Sequence, residues 1–138
     1  MGVAEDRLDE ARRRLATATD QWEQAAVHSW EPAEPSECIT KCFYAFENAL
    51  TAAMIAAGKK TTTKHYEKAA IAEQLFSDGV LKVDIHNRLV ELNDLRKDVQ
   101  YGEPGEALAN TDLDDVLAEL ETFLAEVEQL VRRAEGDE

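Results

Sequence analysis

The chain of 138 residues has few of the features that mark disulfide-rich or metal-binding proteins. It contains only two cysteines, Cys38 and Cys42, which lie four residues apart in a segment with a helical pattern. This spacing places both side chains on one helix face, where two small buried thiols are more common than a disulfide or half of a zinc site. The sequence therefore predicts no metal site and no cofactor, and the chain is long enough to bury a core without either.

Long apolar runs are also absent. No segment approaches the roughly 18 consecutive apolar residues that a membrane-spanning helix needs. The first residues, MGVAEDRLDEARRR, lack the apolar core of a secretory signal. We therefore expect a cytoplasmic protein without membrane contact, which forms one domain over residues 1–138.

Sustained alternation of apolar and polar residues, the pattern of half-buried strands, is absent as well. Apolar residues instead recur every three or four positions, which is typical of amphipathic helices. The pattern predicts five helices, at residues 4–29, 36–57, 64–76, 83–101 and from 111 onward. The expected fold is all-α, a five-helix antiparallel bundle with short loops.

Turn and capping residues separate these segments. The prolines of EPAEP stop the first helix, Gly58 suits the end of the second, Ser77-Asp78-Gly79 ends the third, and GEPG at 102–105 ends the fourth. Thr111, with Asp114 three residues later, resembles a capping box at the start of the last helix.

The net charge of −14 is distributed unevenly. Residues 38–97 carry seven acidic and nine basic side chains, whereas residues 98–138 carry thirteen acidic and two basic ones. Because affinity for phosphate comes mainly from lysine and arginine, a polyanion would bind to the central part, weakly and with strong dependence on salt. The basic connector GKKTTTK contributes Lys59, Lys60 and Lys64 as candidate contacts.

Arg96 occupies an apolar position of the fourth predicted helix. Positions 85, 89, 92, 96 and 99 follow at helical intervals, and all except 96 are aliphatic. Burial of a guanidinium lowers the stability of the fold by several kcal/mol unless the group is paired, so an arginine here indicates a structural or functional role. Two uses remain open: an ion pair with an acid such as Asp94 or Glu47, and a cleft in which the guanidinium binds phosphate. A third, weaker alternative is that the Arg96 side chain extends to the rim of the bundle, where its charged end reaches solvent.

The sequence RKDVQYG, residues 96–102, ends this helix and resembles the arginine motif of the HEPN superfamily. In that motif a histidine follows the arginine after four to six residues, and some branches place a tyrosine and a glycine at the spacing seen here. Upstream, residues 42–79 are similar to the family's aromatic- and alanine-rich second helix, its connector and its third helix. The resemblance covers about residues 36–105.

The resemblance implies a homodimer whose motif helices form a shared cleft, RNA or a nucleotide as ligand, and, in many members, a nucleotidyltransferase partner. Active members are metal-independent endoribonucleases in which the arginine stabilises the phosphate charge and the histidine moves a proton. Arg96 matches the arginine, whereas Tyr101, a poor base near neutral pH, stands at the position of the histidine. Lys97 and Asp98 directly follow the arginine and could line the cleft.

Three functions follow from these observations. The favoured one is an RNA- or nucleotide-binding protein of a toxin–antitoxin or defence system, because the motif histidine is replaced by Tyr101. The alternatives are an active metal-independent endoribonuclease toxin and a non-catalytic dimerisation adaptor. His86 lies almost three helical turns from Arg96, roughly 15 Å, and His65 would approach Arg96 only if the connector folds back, so both are interpreted as surface histidines.

The second predicted helix has two apolar faces. One consists of Ile39, Phe43, Phe46 and Leu50, and the other of Ala45, Ala49, Ala52 and Ala56. A ridge of alanines allows close approach of another backbone, so we expect this helix to be central. We also expect the second and fourth helices to form the homodimer interface. A single bundle would not readily cover both the alanine ridge of the second helix and the apolar face of the fourth helix that contains Arg96.

Overall fold

The computed structural model describes the backbone of residues 3–28, 35–100 and 111–136, and the side chains of residues 6–27, 37–97 and 111–136. Within these ranges the chain forms five helices and no strand, which confirms the expected all-α fold. The helices are α1 (Val3–His28), α2 (Pro35–Ala56), α3 (His65–Ser77), α4 (His86–Gln100) and α5 (Leu113–Ala134).

Two glycines end helices as the sequence predicts. Gly58 has a φ of +75°, and the N–H groups of Gly58 and Lys59 donate to the carbonyls of Ile55 and Met54 at 3.0 and 2.8 Å. Gly79 has a φ of +77°, a left-handed conformation that favours glycine, and its N–H donates to a carbonyl of α3.

α4 begins three residues later than the periodicity predicts. The N–H groups of Lys82 and Val83 donate to the carboxylate of Glu126 on α5, at 2.5 and 3.2 Å. The Asp84 side chain then accepts the N–H of His86 at 3.1 Å. The tertiary contact with α5 therefore holds the segment before residue 86 outside the helix.

α5 has a different cap from the predicted one. The Asp112 side chain, rather than that of Thr111, accepts the N–H groups of Asp114 and Asp115 at 3.0 and 3.2 Å. The predicted capping box between Thr111 and Asp114 is therefore wrong, since an aspartate one residue later satisfies the same N–H donors.

α1 and α2 pack side by side and antiparallel. Arg7, near the start of α1, donates to the carbonyl of Lys59 beyond the end of α2 at 3.4 Å, and Asn48 of α2 donates to Gln21 of α1 at 2.9 Å. The residues that surround Asn48 on the same face, Ala45, Ala49 and Ala52, are fully buried.

The alanine ridge is thus covered within one chain. The expectation that it needs a second copy of the protein is wrong on this point, because α1 carries its own small buried side chains, Ala11, Ala18 and Ala25, at intervals of seven residues. Small side chains let two helix backbones approach closely. Of the two helices expected at the dimer interface, only α4 therefore remains a candidate.

α5 lies against both α1 and α2. The Phe46 and Phe123 rings meet at 5.9 Å between centroids, and the indole N–H of Trp22 donates to the carbonyl of Leu117 at 3.2 Å. Nearer the start of α1, Arg12 forms ion pairs with Glu128 of α5 and with Glu135, which directly follows α5. These contacts give α5 a direction antiparallel to α1.

α2 is the central helix, as the sequence predicts, since most of its side chains between residues 38 and 55 are buried. Cys38 and Cys42 are buried free thiols in this core, as expected. The hydrogen bond with Cys38, together with burial, raises the pKa of Cys42. In the part of the chain that the structure describes, no helix has the length and apolar character needed to cross a bilayer.

Candidate functional site

Arg96 lies over aromatic rings of α2. Its guanidinium carbon is 5.2 Å from the centroid of the Phe43 ring and 5.9 Å from that of Tyr44. Its Nη2 donates to the side-chain oxygen of Asn93, one turn earlier on α4, at 2.9 Å. A cation within about 6 Å of an aromatic centroid is attracted by the negative face of the ring. An arginine can therefore occupy this seam because α2 presents aromatic rings opposite it.

The two rings come from consecutive residues of the central helix and contact each other. Phe43 is almost fully buried, Tyr44 is half-buried, and their centroids are 5.4 Å apart. Arg96 is itself half-buried, so its charge is neither fully desolvated nor freely hydrated. This environment holds the guanidinium in place and keeps part of it accessible.

His65 contacts the same aromatic ring as Arg96. The connector after α2 folds back, and the imidazole, on the first residue of α3, lies 5.2 Å from the Phe43 centroid. Its Nδ1 is 2.5 Å from a carboxylate oxygen of Glu47. The interpretation of His65 as a surface histidine is therefore wrong. Because the imidazole and the guanidinium both lie 5.2 Å from one centroid, their separation cannot exceed twice that distance.

Glu47 is a buried carboxylate within α2. It is 4% exposed and lies one helical turn after Phe43, on the same face. One of its oxygens contacts His65, and the other is 3.4 Å from the ammonium nitrogen of Lys68 on α3. A buried carboxylate needs such partners, since an isolated one would be strongly destabilising. Of the two acids considered for Arg96, Glu47 thus engages His65 and Lys68, while Asp94 is exposed.

The structure brings only some of the predicted binding residues near this site. Lys97 is exposed directly after Arg96, and Lys64 is exposed directly before His65, with its ammonium 3.9 Å from Glu67. Lys97 and Lys64 therefore remain candidate contacts at the site.

Lys59 and Lys60 are exposed beyond the end of α2, roughly 20 Å along the helix axis from Phe43 at 1.5 Å per residue. A single nucleotide could not contact these lysines and Arg96 together. Tyr101 and the side chain of Asp98 lie outside the described residues.

Sequence reasoning missed the group formed by His65, Glu47 and Lys68. The available signal was Glu47, an acid on the apolar face of α2 between Phe43 and Leu50, because a buried acid requires a basic partner. His86 was also interpreted as a surface residue, but it is half-buried and its Nδ1 lies 3.0 Å from a carbonyl of α3.

The arrangement combines a guanidinium, an imidazole with a carboxylate behind it, and nearby lysines. A guanidinium and lysines bind phosphate, and an imidazole oriented by a carboxylate can carry a proton.

Over residues 6–27, 37–97 and 111–136, no group of three or more His, Cys, Asp or Glu side chains could hold a metal ion. No protein-family model matches the chain, and a comparison with curated proteins finds no match.

Proposed function

We propose that the protein binds RNA or a nucleotide as a HEPN-type helical domain, with Arg96 as its main phosphate-binding residue. The observation that supports this most directly is the position of the Arg96 guanidinium over the Phe43 and Tyr44 rings. A guanidinium on an aromatic face keeps its N–H donors in its own plane, where they can bind a phosphate.

Arg88, on the same helix, shows how a structural arginine is held in this fold. Its Nε and Nη2 donate to Glu119 of α5 at 3.1 and 3.0 Å, and its Nη1 donates to Glu91 at 2.6 Å. These carboxylates occupy the donors of the guanidinium fork. Arg96 lies over aromatic rings and donates to the Asn93 amide. Arg88 therefore provides the structural comparison for Arg96.

The surrounding charge favours an anionic ligand of modest affinity. Lys64 and Lys97 are exposed near the site, and the central segment is the only one with a net positive charge. The acidic residues after position 97 repel polyanions. RNA should therefore bind mainly through the α2, α3 and α4 face, and the affinity should fall steeply with salt.

The biological setting follows from the HEPN resemblance. We propose a homodimer, a nucleotidyltransferase partner, and a role in a toxin–antitoxin or defence system. Light scattering at micromolar concentration tests the dimer, and a monomer would remove the shared cleft. A protein that dimerises but binds neither RNA nor nucleotides would instead be the dimerisation adaptor.

A binding titration tests the proposed role of Arg96. Labelled single-stranded RNA is titrated with wild-type protein, Arg96→Leu and the control Arg133→Leu, which removes the same charge from an exposed position on α5. We expect Arg96→Leu to weaken binding roughly tenfold or more, the value of a charge-assisted hydrogen-bond pair, and Arg133→Leu to have little effect. Equal affinities for the two variants would contradict the proposal.

A further inference from the structure

A pocket of about 340 Å³ lies between the loop that joins α3 to α4 and the second half of α5. We infer that this cavity, hereafter the α5 pocket, binds a small organic anion that carries a carboxylate on an apolar body. The pocket lies before the start of α4, whereas Arg96 is ten residues into that helix, roughly 15 Å along its axis. The α5 pocket is therefore separate from the Arg96 site, and the inference does not depend on RNA binding.

The floor of the α5 pocket is aliphatic. Val80 and Val83 of the loop and Leu130 of α5 line it, and all three are half-buried and pack against the core. The volume lies near the lower end of the range of small-molecule pockets, roughly 300–1,000 Å³. Because removal of apolar surface from water favours binding, this floor suits a ligand with a small apolar body.

Glu126 joins the two sides of the α5 pocket. The N–H groups of Lys82 and Val83 donate to its carboxylate at 2.5 and 3.2 Å, one to each oxygen. These hydrogen bonds hold the loop against α5 before any ligand binds. A preformed pocket binds with a smaller loss of conformational freedom, so we assign Glu126 to the wall rather than to the ligand.

Two exposed cations at the rim select an anion. Lys82 of the loop and Arg133 of α5 line the pocket. Over the residues whose side chains the structure describes, neither ammonium nor guanidinium has a hydrogen-bond or ion-pair partner, whereas the adjacent Arg132 is 3.5 Å from Glu128. Two cations and the Glu126 carboxylate leave a net charge of +1 on the lining, which suits a monoanion. Lysine and arginine both form charge-assisted hydrogen bonds with a carboxylate.

Titration of wild-type protein with three probes tests this assignment. Octanoate has a carboxylate and an apolar chain, acetate has the carboxylate alone, and 1-octanol has the chain without the charge. NMR spectra of methyl-labelled valine and leucine report binding at Val80, Val83 and Leu130. We expect saturable shifts of these methyl groups with octanoate, and affinities at least about tenfold lower for acetate and for 1-octanol.

Removal of either rim cation should affect only the charged probe. Lys82→Gln and Arg133→Gln should each weaken octanoate binding by about three- to tenfold, because each removes one exposed charge-assisted contact, and leave 1-octanol binding nearly unchanged. Arg132→Gln is the matched control. It removes the same charge from the neighbouring exposed position of α5, which does not line the pocket, and should bind octanoate as the wild type does.

A change in the aliphatic floor should affect both chain-bearing probes. Val83→Thr replaces a methyl group with a hydroxyl at nearly the same volume and keeps the N–H that donates to Glu126. It should weaken octanoate and 1-octanol binding alike, roughly three- to fourfold. Val90→Thr, at an exposed position of α4 outside the pocket, is the control and should change neither affinity.

The wild-type titration decides the proposal by itself, and melting curves show which variants keep the fold and can be compared. Absence of saturable shifts at the three pocket residues with octanoate up to about 10 mM, ten times a millimolar dissociation constant, would overturn the proposal. Equal octanoate affinities of the Lys82, Arg133 and Arg132 variants would also overturn it, since the site would then not select an anion. Failure of octanoate binding leaves the RNA-binding role of Arg96 standing, and loss of RNA binding in Arg96→Leu leaves the α5 pocket unaffected.

Discussion

The guanidinium carbon of Arg96 and the centroid of the Phe43 ring are 5.2 Å apart. This contact explains how the fourth helix of the fold tolerates a permanent charge where its apolar repeat requires an aliphatic residue. The ring supplies a favourable electrostatic surface without supplying a second charge. Because Arg96 faces an aromatic ring at an apolar position of the helix, we expect an aliphatic side chain to replace it with little loss of stability.

Arg96→Leu should therefore preserve the fold. The substitution loses a cation–π contact worth about 0.5–2 kcal/mol and the hydrogen bond to Asn93, and it gains apolar burial of similar size, so the free energy of unfolding should change by about 1 kcal/mol or less. Arg88→Leu is the matched comparison on the same helix. It leaves Glu119 and Glu91 without their arginine and should destabilise the protein by about 1.5–3 kcal/mol.

Thermal melts of these two variants measure the difference. A loss for Arg96→Leu as large as that for Arg88→Leu would show that Arg96 is half of a structural ion pair, and the cleft hypothesis would have to be abandoned. A melting temperature of Arg96→Leu close to that of the wild type, together with lost RNA binding, is the expected combination.

The contact between Glu47 and Lys68 should contribute to stability as a coupled pair. Lys68→Met leaves the buried carboxylate with His65 alone, and Glu47→Gln leaves the ammonium, which is only 14% exposed, without its anion. Each single change should lower the free energy of unfolding by about 1–3 kcal/mol. The double variant should lose less than the sum of both, with a coupling energy of about 0.5–3 kcal/mol.

Urea unfolding of the four proteins provides this double-mutant cycle. Additive losses would mean that the two side chains do not interact, which would also remove the support for a fixed Glu47 carboxylate behind His65.

The sequence predicted the helices well, because each apolar repeat is a local pattern whose period does not depend on partners. It also identified Gly58 and the central position of α2. The start of α4 and the contacts of His65 could not be found in this way, because they depend on tertiary contacts that no local period encodes. Glu126 lies 44 residues from Lys82, and Glu47 lies 18 residues from His65. Arg96 was found because it breaks a local pattern.

The ion pair between Arg12 and Glu135, which directly follows α5, should make stability depend on pH. Hydrogen bonds from Arg12 lower the pKa of Glu135 below its ordinary value of 4.5. A carboxylate with a lowered folded-state pKa contributes stability above its ordinary value, and that contribution disappears as the pH falls through the folded-state pKa. Glu135→Gln should therefore be less stable than wild type at neutral pH, and this difference should vanish in acid.

Urea unfolding at about pH 7 and about pH 3 measures the two differences. Glu121→Gln, which removes the same charge from an exposed position of α5, is the control and should show little difference from wild type at either pH. The effect of Glu135→Gln should be small, because the side chains of Arg12 and Glu135 are 35% and 27% exposed to screening by solvent. An equal deficit at both pH values would contradict this explanation.

Tyr101 provides the last test of the cleft, since it follows Arg96 at the position where the HEPN motif carries its histidine. If Tyr101 faces the same phosphate as Arg96, an imidazole at position 101 can take up the proton of a ribose 2′-hydroxyl. The expected result is that Tyr101→His creates or raises ribonuclease activity, while Tyr101→Phe does not. This activity should depend on Arg96, so the further change Arg96→Leu should abolish it. If Tyr101→His binds RNA but stays inactive, position 101 is not at the bound phosphate, and the protein is better described as a binding module.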